Sequence, residues 1–132
     1  MPDLIGRRGG VVLIADFKTS TGPYCRHFPT TKEDRRLFTG WSKYQKVGMQ
    51  LAGYALAAEE TLGIHIDCAQ VMVATPELKQ NFLIHGDELL RHRTRFLQRV
   101  RRYWELKAME SEEQAEAAAQ LAGHQALALA AA

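Results

Sequence analysis

The stretch Asp3-Leu4-Ile5-Gly6-Arg7-Arg8-Gly9-Gly10-Val11-Val12-Leu13-Ile14-Ala15-Asp16-Phe17-Lys18 decides how the fold is read. Two short β-rich apolar runs, Leu4-Ile5 and Val11 to Ala15, flank a Gly-Gly pair, the composition of two strands joined by a tight turn. With Gly9 and Gly10 as a two-residue loop, Arg8 opposes Val11 and the numbers of every opposed pair sum to 19. Asp3 then lies across from Asp16. Opposed residues share a face, as do residues two apart on a strand, so Asp3, Asp16 and Lys18 project the same way. Ala15 and Phe17 point to the other face, where the core is expected.

Two carboxylates about 5 Å apart repel by about 3 kcal/mol at an effective dielectric near 20, so folding stability alone does not put them there. A divalent cation, Mg²⁺ or Mn²⁺, relieves that repulsion, because hard metals take carboxylate, carbonyl and water oxygens. Asp3, Asp16 and the backbone carbonyl of Phe17 form the expected ligand set. Lys18 beside it is placed to orient water and to offset charge on a phosphoryl transition state. An Asp-X-Lys at a strand end is commonly a solvated charge pair; the carboxylate opposite is what turns it into a candidate for phosphodiester hydrolysis.

Pro2-Asp3 followed by Asp16-Phe17-Lys18-Thr19 resembles the signature of the PD-(D/E)XK nuclease superfamily, in which a hairpin presents acid, acid and lysine. Downstream, Gln50 and Tyr54, within Met-Gln-Leu-Ala-Gly-Tyr-Ala, resemble the Gln-X-X-X-Tyr element of its RecB-like branch of phage, helicase-linked and CRISPR-adaptation exonucleases. One helical turn apart, Gln50 and Tyr54 share a face. The resemblance spans residues 2 to about 75. It implies an α/β (α+β) fold with a restriction-endonuclease-like core, a central mixed sheet flanked by helices, and a catalytic set of Asp3, Asp16, Lys18, Gln50 and Tyr54. It also implies DNA as substrate, with exonucleolytic action on linear ends. Family members carry a helix ahead of the first aspartate, and this chain is read as a minimal form lacking it. A non-catalytic DNA-binding or assembly protein with a degenerate site, and an endonuclease or junction resolvase of the same superfamily, are the alternatives.

Outward from the hairpin, residues 19 to 40 mix Thr, Ser, Gly, Pro and charge without periodicity and read as a long loop. From Ser42 to about Leu62, Val47, Leu51, Tyr54, Ala55 and Ala58 recur at helical spacing, with Gly63 as the stop. His65 to Thr75 reads as a strand, and Asn81 to His85 as its return after a turn over Pro76 to Gln80. Asp87 is placed to cap a helix to about Lys107, with Leu89, Leu90, Phe96, Leu97, Val100 and Trp104 on its buried side. That segment carries seven basic against three acidic residues. The division expected is a nuclease core over 1–107 and an alanine-rich acidic helical tail over 108–132. The tail and the incomplete site give a reason to expect a homo-oligomer.

Thr19, Arg26, His27, Lys43 and Lys46 are the candidate nucleic-acid contacts: His27 and Arg26 sit in the loop after the Asp-X-Lys strand with Tyr24 and Lys32, and the lysines lie on the Gln50/Tyr54 helix. His65, His85, His92 and His124 lack metal-ligand spacing and read as surface or strand histidines. Over the chain's 132 residues, 17 Lys and Arg against 15 Asp and Glu is too even a balance to point to a polyanion, and 46% hydrophobic content argues against disorder. Two cysteines exclude an iron–sulfur cluster or a disulfide scaffold within one chain and suit a reducing cytoplasm. No run is long and apolar enough to span a bilayer, and no membrane partner is expected.

Overall fold

Gly9 and Gly10 take φ values of 58° and 81°, the left-handed pair required by a two-residue type I′ hairpin. Strands β1 (Leu4–Arg8) and β2 (Val11–Thr19) leave this turn antiparallel, paired from Arg8↔Val11 to Leu4↔Ala15, which is the register read from the sequence. The computed structural model describes residues 3–30 and 35–131. Pro2 of the Pro-Asp motif and Lys32 of the following loop lie outside them.

Helix α1 (Arg35–Leu62) begins at Arg35 and not at Ser42, so the expected loop ends sooner. Its first turns carry Phe38 and Trp41, which meet Phe28 of the loop edge-on at 6.0 and 5.0 Å between ring centroids. Gly40 lies so close to the Pro23 carbonyl that a Cβ there would collide with it. Aromatic and tight backbone contacts with the preceding loop hold this turn, and no amphipathic stripe announces it. Gly63, at φ 66°, ends α1.

Strand β3 (Cys68–Ala74) lies parallel to β2, and β4 (Lys79–His85) returns antiparallel to β3, giving a mixed sheet in the order β1-β2-β3-β4. The protein is thus α+β. β3 starts at Cys68, later than expected, because the preceding residues are used as a bridge: the Asp67 amide donates to the Val12 carbonyl at 2.9 Å, and the Ile66 amide to Glu59 at 2.9 Å. The β3–β4 turn is closed by Thr75, whose amide and hydroxyl both donate to the Leu78 carbonyl, at 2.9 and 3.0 Å.

The main core cluster lies on the opposite face of β2 from the one expected, although Ala15 of the expected face is fully buried. Val12 and Ile14 join Ala69, Val71, Val73 and Ile84 beneath Tyr44, Val47, Leu51, Ala52 and Ala55 of α1, whereas Phe17 is 56% exposed. Both faces of β2 carry apolar side chains, and α1 covers the one that also bears Asp16. On the other face Leu4, Phe17 and Leu83 stay about half exposed.

Helix α2 (Gly86–Ala131) starts one residue before the expected cap and runs past Lys107 to Ala131. The chain divides into two compact units, Met1–Leu97 and Gln98–Ala132. In the first, α2 buries Leu89 and His92, not Leu90 or Leu97, which are 60% and 54% exposed. The inward stripe therefore runs through Glu88, Leu89, His92, Arg93 and Phe96, two of them charged, which apolar periodicity overlooks. In the second unit every described side chain from Arg101 onward is exposed, Trp104 included. Alanine propensity carries this helix, and no breaker interrupts it; Gly123 costs it about 1 kcal/mol without ending it.

Candidate metal and phosphodiester site

Asp3 lies one residue before β1, past the last ladder pair Leu4↔Ala15, and its side chain is near that of Asp16. The Asp3 amide donates to the Ala15 carbonyl at 3.0 Å, and the Phe17 amide donates to Asp3 Oδ2 at 2.6 Å. The Asp3 and Asp16 side chains lie close enough to act on one another. The Phe17 amide above all holds the Asp3 carboxyl below the usual range, since a donated hydrogen bond favours the ionised form, and the Lys18 charge adds to this.

Asp16 is 4% exposed on the helix-covered face, beside Val71 in the parallel register. A buried carboxylate needs a counter-charge. Lys18 supplies it, with Nζ at 2.9 Å from Asp16 Oδ2 while keeping a third of its own side chain in solvent. The hydrogen bond to Asp16 raises the Lys18 pKa, so Lys18 is a fixed cation at neutral pH. It can stabilise developing negative charge, and it is not a general base.

Helix α1 brings the second motif to this side of the sheet. Gln50 Nε2 donates to the Tyr54 hydroxyl at 3.0 Å, and Asp16 lies close enough to Tyr54 to act on it electrostatically. Lys43, two helical turns before Gln50 on the same face, donates to Ser20 Oγ at 3.1 Å just past the end of β2. Lys46 is exposed one turn beyond Lys43. Thr19 falls on the other face of β2 from Asp16 and Lys18, so it is not part of this constellation.

Arg26 and His27 are likewise not brought to it. The Arg26 Nε donates to the Tyr44 hydroxyl at 3.0 Å and an Arg26 Nη to the Leu83 carbonyl at 2.8 Å. Its guanidinium stands over Phe82, two strands from Asp16 in the same row of the sheet, a separation of about 10 Å. His27 shares a cavity with Arg26 and Gln45, and Gln45 is about 200° round α1 from Lys43.

Several side chains around this site escape sequence reasoning. Arg36 and Thr39 lie two turns and one turn before Lys43 and line, with Thr21, a cavity of about 190 Å³ against the loop after β2. Arg36, Lys43, Gln50 and Tyr54 therefore make one stripe along α1. Tyr24 is 7% exposed, its phenol pKa pushed up by burial, with Lys18 and Asp16 acting on it in opposite directions. Gln80 of β4 holds Tyr24 in place, accepting from its amide at 2.7 Å and donating to its carbonyl at 2.9 Å. A glutamine that mimics a strand partner has no signature in sequence; the Arg36 to Lys43 spacing was readable only once α1 was known to start at Arg35.

The donors present suit a hard divalent cation: two neighbouring carboxylates at a strand end, of which Asp3 is exposed, with main-chain oxygens nearby. Among the described residues no cluster of three or more His, Cys, Asp or Glu adds to them. No protein-family model matches this chain, and no curated protein matches it.

Proposed function

We propose that the chain is a metal-dependent nuclease that hydrolyses DNA phosphodiester bonds, acting as an exonuclease on linear ends. The observation that carries this reading is the contact of Asp3 with Asp16 across the hairpin, with Lys18 ion-paired to Asp16. Asp3, Asp16 and the Phe17 carbonyl would hold Mg²⁺ or Mn²⁺, which when bound supplies Lewis-acid charge and a more acidic water. Lys18, held protonated, offsets charge growing on the phosphoryl oxygens. The Gln50–Tyr54 hydrogen bond fixes both groups on the rim of the site, and the cationic stripe of Arg36 and Lys43 leads a phosphate backbone towards it. The restriction-endonuclease-like core belongs to this proposal, as does a cytoplasmic setting; among the described residues no helix is long and apolar enough to cross a membrane, and Cys25 and Cys68 form no disulfide. A homo-oligomer belongs to it too, supported by the half-exposed apolar face of the sheet around Leu83.

The test is degradation of linear single- and double-stranded DNA with Mg²⁺ or Mn²⁺ and with chelator. Metal-dependent turnover that falls at least a hundredfold in both Asp16→Asn and Lys18→Met is expected. Salt-sensitive DNA binding with no turnover at any metal concentration would replace this reading with the non-catalytic one, and cutting of closed circular DNA would replace exonuclease with endonuclease or resolvase. Sedimentation velocity tests the oligomer, with a loss of mass in Leu83→Glu as the expected result.

A further inference from the structure

On the other side of α1 from the carboxylate pair, Arg26, His27, Gln45, Glu88, Arg91, His92 and Arg95 line a cavity of about 300 Å³. We propose that this cavity binds a phosphate group through Arg91 and Arg95. The inference is independent of the nuclease reading, because none of these residues belongs to the carboxylate site.

The charge distribution is the first argument. Glu88 is the single acid in the lining, and it is already engaged: Glu88 Oε2 accepts from the Tyr44 hydroxyl at 3.0 Å and stands 3.6 Å from the Arg26 Nε. Arg26 is occupied in turn by Tyr44 and the Leu83 carbonyl. Arg91 and Arg95 remain, one turn apart on α2, and neither forms an ion pair with a carboxylate among the described residues. Like charges at this spacing cost a helix a few tenths of a kcal/mol unless an anion lies between them.

The second argument is rigidity. An Arg95 Nη donates to Gln45 Oε1, which ties the guanidinium to α1 and leaves its other N–H groups available. His92, 3% exposed, forms the floor, its ring packed on Gly48 so closely that a Cβ there would sit 2.6 Å from ring atoms. A planar guanidinium held by its neighbour is pre-organised for the paired N–H donation that phosphate accepts. The volume admits phosphate with a small substituent. Inorganic phosphate, a mononucleotide and an internucleotide phosphate all offer this group.

Calorimetric titration of the full chain with inorganic phosphate, in a buffer without competing oxyanions, tests the site. Saturable binding is expected, weakened at least tenfold in Arg91→Gln/Arg95→Gln and unchanged in Asp16→Asn. Competition separates the sources: displacement by dAMP but not by a short oligodeoxynucleotide lacking terminal phosphates assigns a phosphate monoester, and displacement by the oligonucleotide assigns an internucleotide phosphate; either supports the site. Should the double variant fail to fold by circular dichroism, Gln45→Ala, which releases Arg95, is expected to weaken phosphate binding severalfold. Absence of saturable phosphate binding, or binding unchanged in the variants that fold, overturns the proposal.

Discussion

Asp16, at the level of single residues, is a carboxylate only 4% exposed that depends on Lys18 at 2.9 Å for its charge balance. Lys18→Met strips that partner, and the expected loss is about 1–3 kcal/mol in urea denaturation, at the modest end because a third of Lys18 is solvated. Asp16→Asn/Lys18→Met recovers most of it, since no buried charge is left uncompensated. The pH dependence follows from two shifts of opposite sign. The folded Asp3 pKa lies below its ordinary value, so its contribution is present above the usual carboxylate range and is lost as pH falls through the folded value. The folded Lys18 pKa is raised, so its contribution is full below the ordinary lysine value and is lost as pH rises through the folded one. Denaturation midpoints measured against pH are expected to fall on both sides of neutrality, with the acid limb shallower in Asp3→Asn and the alkaline limb shallower in Lys18→Met.

Between elements, α1 and the first turns of α2 approach through glycines. A Cβ at Gly48 would meet the His92 ring at 2.6 Å, and one at Gly53 the Phe96 ring at 2.5 Å, but the two neighbours differ in freedom. His92 is buried, whereas Phe96 is half-buried and can swing outward. Gly48→Ala is therefore expected to destabilise by about 1–2 kcal/mol, overpacking outweighing alanine's helix propensity. Gly53→Ala is expected to be neutral or to gain up to about 1 kcal/mol. Equal losses at both positions in chemical denaturation would contradict this account. The same seam carries Tyr44, whose hydroxyl accepts from Arg26 and donates to Glu88, with burial pushing its pKa to about 12. Glu59 adds an ion pair to Arg93 at 2.7 Å; burial works against the ionised carboxyl, but donation from the Ile66 amide and Arg93 outweighs it and lowers its pKa.

For the whole molecule, the two compact units differ in what holds them. Met1–Leu97 contains the sheet, α1 and the buried core, while the residues from Arg101 onward bury nothing among the described residues and rely on local pairs such as Lys107–Glu110 at 3.2 Å. A chain ending at Lys107 is expected to unfold within about 0.5 kcal/mol of the full chain, with less helical circular dichroism. A larger loss would show that the second unit supports the first.

The hairpin was legible because its information is local: two adjacent glycines specify a left-handed turn, and the turn specifies every pair of the ladder from Arg8↔Val11 to Leu4↔Ala15, leaving Asp3 just past its end and near Asp16. The strands, the middle of α1 and the face shared by Gln50 and Tyr54 were legible for the same reason, through periodicities of two and 3.6 residues. The start of α1 at Arg35, the inward turn of Glu88, His92 and Arg93, and the hold of Gln80 on Tyr24 were not, because each depends on partners distant in the chain. Sequence by itself thus determined which side chains share a strand face or a helix face. Tertiary packing alone decided that α1 covers the Asp16 face and not the Phe17 face, burying the carboxylate, exposing the phenylalanine and placing Arg26 and Lys43 on opposite sides of one helix. A strand with apolar residues on both faces offers two nearly equivalent surfaces for burial, and only the partner that docks breaks the tie.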